Sequence, residues 1–402
     1  MRQAPEAPQP IYTTKTPETA RASAHAPRWR WRRDVGFLVG VLALITLTVF
    51  VFSNAGGSNG QANVSPTATA ATTSATATRT TAPSNAAVKV IAANTQNFPL
   101  ATQNPGVMQP SVDQQGNIWF GEMFANALAR LDPRTGAVSS WTPPHGQNNI
   151  MATAVDQQGN IWFAEQAANY IGRFDPTTQQ FITYPLAEVN GHTAAPQDLK
   201  FDAAGNLWFT EVNAGKIGKL NPQTGAITTW PVPAPAGSQP LPFCLAVTSS
   251  GQVWYGYLSG GAVGRLDPTT GATQLYQLTS NQSEVYAMNL GQQGVVWFSE
   301  LQGGNLGRID TTTNTVTEIP VPTAAGPSDG LYGIRVASNG DVWFTAAGAN
   351  ALARYTPATH AFTFYQLSVP NSVPFGLAFD DTGKLWFTAT VNPNYVGVLT
   401  LP

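Results

Sequence analysis

The chain has 402 residues, of which only 10% are charged, with a formal net charge of −2, 43% hydrophobic residues and a single cysteine. From Lys89 onward 12 basic side chains face 19 acidic ones, a charge of −7 that argues against a nucleic-acid partner. The lone Cys244 excludes a disulfide-stapled scaffold, and its place on an expected inner strand fits a small buried hydrophobe better than a catalytic thiol.

Residues 1–34 are rich in Pro, Ala and Thr and end in Arg28-Trp-Arg-Trp-Arg-Arg33, which together read as a disordered basic tail. Residues 35–52, Val35 to Phe52, are uncharged and apolar. At ~1.5 Å per residue they cover most of a hydrocarbon core of ~30 Å, so a single membrane-spanning helix is predicted. The basic cluster stands before this segment and none follows it, which keeps the N-terminus cytoplasmic and puts the rest of the chain outside the cell membrane. A signal peptide cleaved near Ala55 is the competing reading and would give a secreted protein; both readings export the remainder. Residues 53–88 are almost all Ser, Thr, Ala, Asn, Gly and Pro, a composition that buries no core and reads as a flexible stalk.

Residues 89–402 form one repeat domain. Trp119, Trp162, Trp208, Trp254, Trp297, Trp343 and Trp386 recur at intervals of 43 or 46 residues. The phrase around them repeats as well: Asp156-Gln-Gln-Gly-Asn-Ile-Trp-Phe-Ala-Glu165 and Asp202-Ala-Ala-Gly-Asn-Leu-Trp-Phe-Thr-Glu211 are two copies. In the second unit four strand-like runs are separated by turn residues, at 152–156, 160–165, 170–175 and 180–186. A period in the forties with four short strands per unit predicts an all-β, seven-bladed β-propeller of four-stranded blades. The last unit lacks its outermost strand, and residues 95–100 resemble the fourth-strand phrase Thr183-Tyr-Pro-Leu186. An N-terminal strand is therefore expected to complete the last blade and close the ring. The Asp-Pro turns, such as 132–136 and 267–271, fit plain turn chemistry better than a calcium loop, whose ligands alternate along the chain.

The mouth of the axial channel is the expected ligand-binding place. Counting back 11 residues from each Trp gives the first residue of each innermost strand: Met108, Met151, Gln197, Phe243, Tyr286, Tyr332 and Phe375. Four aromatics in successive blades read either as core packing or as an apolar mouth for a small molecule with rings or a sugar face, or for a protein partner. Glu122, Glu165, Glu211 and Glu300 stand three residues after their Trp, where a cation site and a structural role both remain open. Each is followed by a basic residue, Arg130, Arg173, Lys219 or Arg308, that could pair with it or with a neighbour. His145 and His192 lie on loops leading to innermost strands and, with Glu165 or Glu188, are candidates for a metal or acid–base pair.

The repeated Asn-Ile-Trp-Phe-x-Glu phrase, third strands such as Ile171-Gly-Arg-Phe-Asp-Pro176 and fourth strands such as Thr183-Tyr-Pro-Leu186 resemble the virginiamycin B lyase family of streptogramin lyases, over about residues 94–402. The resemblance implies a seven-bladed propeller and, in active members, a magnesium-assisted elimination that opens cyclic streptogramin B antibiotics. It places histidines at the last two blades' mouth positions, two acids beside them and a tyrosine in the first blade. Here those places hold Tyr332 and Phe375, Val373 and Thr390, and Met108. Elimination needs a base and an assisted leaving group, which these side chains do not supply. No catalytic or metal-binding residues are therefore assigned. A membrane-anchored binding protein is the first expectation; a magnesium-dependent lyase and a rigid interaction scaffold are the alternatives.

Overall fold

The structure, a computed structural model, describes residues 73–79, 87–102, 105–146, 149–391 and 394–401. The predicted basic tail and membrane-spanning segment lie outside these residues. Among the described residues no helix is long and apolar enough to cross a membrane.

Seven antiparallel blades follow in chain order. The second blade shows the common plan: Ile150–Val155 innermost, then Ile161–Glu165, Tyr170–Asp175 and Gln180–Pro185. The glycine of the first turn is needed for its backbone, with Gly205 at φ +81° closing Asp202 onto Asn206. The Asp of the third turn is occupied by its own backbone: Asp132 accepts from the Arg134 N–H and Asp267 from the Thr269 N–H.

Each blade is held by its Trp. In the first three blades and the last, the Trp119, Trp162, Trp208 and Trp386 indole N–H donates to the Asp six residues earlier at 2.8 Å. An outer-strand aromatic stacks on the other side, as Trp141 does on Trp119 at 5.4 Å and Trp230 on Trp208 at 5.4 Å. The basic residue of the third strand lies opposite the Trp and over its ring: Arg130 is 5.7 Å from Trp119, and Lys219 is 5.4 Å from Trp208. This corrects the expected pairing with glutamate. The ladder places Glu165 opposite Tyr170, three residues along from the Trp162 and Arg173 pair, and none of Glu122, Glu165, Glu211 and Glu300 forms an ion pair among the described residues.

The N-terminal strand closes the ring as expected. Thr95–Pro99 pairs antiparallel with Tyr395–Leu399, and Phe98 meets Trp386 at 5.8 Å, in the place of an outer-strand aromatic. Upstream, the expected stalk is in part strand. Thr73–Thr76 runs parallel to Gln274–Gln277 on the fourth blade, Thr78–Arg79 to Thr317–Glu318 on the fifth, and Val88–Ala92 to Phe362–Gln366 on the sixth. A composition unable to build a core can still supply backbone hydrogen bonds to an open sheet edge, and threonine favours extended backbone. Between the first two strands Ala77 is buried, and its N–H donates to the Gln277 carbonyl at 2.7 Å.

Candidate functional site

The seven mouth residues converge because of a backbone irregularity that the repeat builds in. The ladder of first and second strands shifts register between Pro196 and Leu199, Pro242 and Cys244, Val285 and Ala287, and Pro374 and Leu377. An inserted residue re-aims its side chain, and those inserted here include Gln197, Phe243, Tyr286 and Phe375. Hydroxyls two residues after the Trp fix the arrangement from the blade before. Thr210 Oγ1 donates to the Phe243 carbonyl at 3.2 Å, Thr345 Oγ1 to that of Phe375 at 3.4 Å, and Thr388 Oγ1 to that of Met108 at 3.2 Å.

The side chains meet over the axis and close it. Met108, Met151, Phe243, Tyr286, Tyr332 and Phe375 share one apolar cluster with Met123, Val212, Leu258, Leu301 and Val373. None of the seven mouth residues is more than 6% exposed. Tyr286 is the hub: its ring is 4.7 Å from Phe243, 5.2 Å from Tyr332 and 5.7 Å from Phe375, and Tyr332 stacks on Phe375 at 5.0 Å. Gln197 is bonded to Gln166 at 2.6 Å. The Tyr286 hydroxyl is buried and has no hydrogen-bond partner. Burial, and then the neighbouring Tyr332 and Glu284, push its phenol well above the ordinary value.

The four glutamates are buried within their blades. Desolvation raises Glu165 and Glu211 to about 7, and neither oxygen of Glu165 has a hydrogen-bond partner. Glu300 is raised by burial although Ser283 Oγ and Asn305 Nδ2 both donate to it, at 2.7 and 2.9 Å. Burial raises Glu122 as well. The histidines do not join them. His145 stacks on Tyr170 at 3.8 Å and its Nε2 bonds Thr183 of the outermost strand at 3.1 Å, while His192 sits in a tight turn bridged to Val189.

Magnesium, implied by the resemblance, takes hard oxygen ligands, usually carboxylates and water. The corresponding positions present two aromatic rings, Met108, Val373 and Thr390, and among the described residues no three His, Cys, Asp or Glu side chains gather to hold a metal ion. The residues present do not fit the ion.

Below the rings lies a cavity of about 30 Å³ lined in part by Asp198, Lys200 and Arg335. These charged residues were missed from sequence. Their signal was register: three residues after each mouth position the other blades carry Ser111, Ala154, Ala246, Asn289 and Ala378, whereas the third and sixth carry Lys200 and Arg335.

Residues 93–399 match the sequence profile of the virginiamycin B lyase family. Among solved structures, virginiamycin B lyase from Staphylococcus aureus is similar at 26% identity, covering 77% of this chain and 99% of that one, with a TM-score of 0.69. A catalytically inactive histidine-to-alanine variant of the S. aureus lyase, solved with quinupristin, is similar at 26% identity with a TM-score of 0.68, covering 77% of this chain and 99% of that one. The extracellular domain of a putative hybrid two-component system from B. thetaiotaomicron shares the fold, at 16% identity and a TM-score of 0.60, covering 77% of this chain and 42% of that one. No curated protein matches.

Proposed function

Since this chain belongs to the virginiamycin B lyase family, we propose that it is a membrane-anchored, extracytoplasmic propeller that binds a ring-bearing small molecule at its axial mouth without lyase chemistry. The observation that carries this reading is the convergence of Phe243, Tyr286, Tyr332 and Phe375 around a buried hydroxyl that bonds nothing. Such a hydroxyl costs free energy until an acceptor reaches it, and an apolar ring slotting among the four gains both contact area and that bond. Two of them, Tyr332 and Phe375, stand where the resemblance calls for histidines, which supports a retained family fold without its chemistry. The apolar, uncharged residues 35–52 behind a basic cluster support anchoring with the propeller outside.

Quinupristin, which accompanies the inactive S. aureus variant, is the probe. The full chain in detergent should bind it saturably in calorimetry. Tyr332→Ala should weaken binding by about tenfold or more, the loss expected when a central aromatic anchor is removed. Tyr286→Phe should also weaken it while leaving thermal unfolding unchanged or higher, since it deletes an unsatisfied hydroxyl. Absent binding, or equal affinity in both variants, would sink the mouth as the site. Carbonate extraction that frees the protein from membranes would sink the anchor.

A further inference from the structure

The channel beneath the aromatic plug carries an uncompensated positive charge. Three charged side chains line its cavity: Asp198, Lys200 and Arg335. The carboxylate is fully used. Its Oδ1 accepts from Lys200 Nζ at 2.5 Å and from the Leu199 N–H at 2.9 Å, and its Oδ2 from the Leu245 N–H at 3.0 Å. Arg335 makes one hydrogen bond, from a terminal nitrogen to the Ile334 carbonyl at 2.8 Å, and no ion pair among the described residues. A guanidinium has five N–H donors and stays charged, and this one is part-buried on the cavity wall. Enclosure penalises that charge, and burial pushes the group below its ordinary value with only Asp198 opposing.

A charge in such a place is costly unless a counter-ion meets it. The walls on the mouth side are Met108, Met151, Phe243, Tyr286 and Phe375, which hold the local dielectric low and strengthen any pairing. The cavity of about 30 Å³ has room for one or two water-sized occupants and excludes a polyatomic organic ligand. Gln109, on its wall, has a buried side-chain oxygen with no partner.

We infer that this channel holds a single monatomic anion of the halide class, held by Arg335 and Lys200 with Gln109 beside them. It is independent of the ligand proposed for the mouth and lies on the inner side of the rings. The ion neutralises the channel and braces the third blade against the sixth across the axis.

The test uses the full chain exchanged into gluconate buffer, with chloride or bromide added at constant ionic strength. Thermal unfolding should rise saturably with either halide, and ³⁵Cl NMR should show excess line broadening that bromide displaces. Arg335→Gln should weaken halide binding by about tenfold or more, as expected for the loss of a charge-assisted contact. Lys200→Met should weaken it while Arg354→Gln, outside the channel, should not. Crystals of the unaltered protein soaked in bromide should give an anomalous peak between Arg335 and Lys200, which decides the matter even where a variant fails to fold. No broadening beyond free chloride, equal broadening in Arg335→Gln, or a channel holding only water would overturn the inference.

Discussion

Tyr332 stacks on Phe375 with ring centroids 5.0 Å apart and planes 26° from parallel, in the two places where the resemblance puts histidines. The positions that the resemblance gives to the two acids supply none: Val373 packs in the same apolar cluster, and the Thr390 N–H is turned back to the Val373 carbonyl. Incubated with a streptogramin B and magnesium, the full chain should leave the antibiotic intact by chromatography and mass spectrometry. The double variant Tyr332→His, Phe375→His should remain inactive, because the two acids are still missing. Magnesium-dependent conversion at unchanged mass by the unaltered chain would show that other side chains run the elimination.

The fourth blade contains a correctable defect. Its Trp254 indole N–H is buried with no partner, because Thr248 stands where four other blades carry the accepting Asp. The surrounding turn is otherwise the same: Gly251 N–H donates to the Thr248 carbonyl as Gly205 N–H does to that of Asp202. Thr248→Asp should therefore stabilise the protein by roughly 1 kcal/mol, the net worth of a hydrogen bond. In a domain of this size that is a rise in Tm of roughly 1–2 °C. A calorimetric scan showing no gain would mean that the new carboxylate costs more in desolvation than Trp254 returns.

Blade count, strand order and closure were legible because each is written as a periodic signal: the Trp spacing, the Gly turns, and Phe98 at the distance from its Trp that an outer-strand aromatic keeps. The mouth residues were legible for the same reason, since register counted from the Trp found them. Whether they stand open or pack shut was not, because the angle at which Tyr286 crosses Phe375 depends on bulges in separate blades. Pairing by spacing misled at Arg173, which the ladder sets against Trp162 rather than Glu165. The strands at 73–79 left no hydrophobic signal, because they are held by backbone hydrogen bonds to an edge.

Stability should fall as pH rises through neutrality. Glu165 and Glu211 are raised by burial to about 7, above the ordinary value of 4.5 that the unfolded chain keeps. A carboxyl whose folded pKa is raised contributes fully below its unfolded value and loses that contribution as pH climbs to its folded one. The window is therefore about pH 4.5 to 7. Glu165→Gln should flatten the Tm against pH profile there and leave the variant more stable than the parent at pH 8. At the acid end the sign reverses. Burial pushes Asp202 up, but hydrogen bonds from Asn206, Trp208 and Ala204 outweigh it and hold the group low, so stability should also drop below about pH 4. A flat profile from pH 5 to 8 in the parent would count against buried, protonated glutamates.

Closure should be separable from the outer belt. A chain beginning at residue 94 keeps Thr95–Pro99 against Tyr395–Leu399 and, of the described strands, loses only the parallel ones on the fourth to sixth blades. It should remain a folded monomer with a modestly lower Tm, because those strands add mainly edge hydrogen bonds and one buried methyl, that of Ala77. A chain beginning at residue 101 opens the last blade. Trp386 then loses its contact with Phe98, and Val396 and Val398 stand on a bare edge beside it. An exposed apolar edge pairs with other chains, so this truncation should aggregate or dimerise on size-exclusion chromatography. Phe98→Ala in the full chain should cost ~3–4 kcal/mol, the range for a buried aromatic cut back to a methyl. The seam bond from Thr388 to the Met108 carbonyl spans 280 residues and survives in both truncations, so it cannot mask the difference between them. Equal behaviour of the two truncated chains would mean that the ring is closed by its inner strands alone.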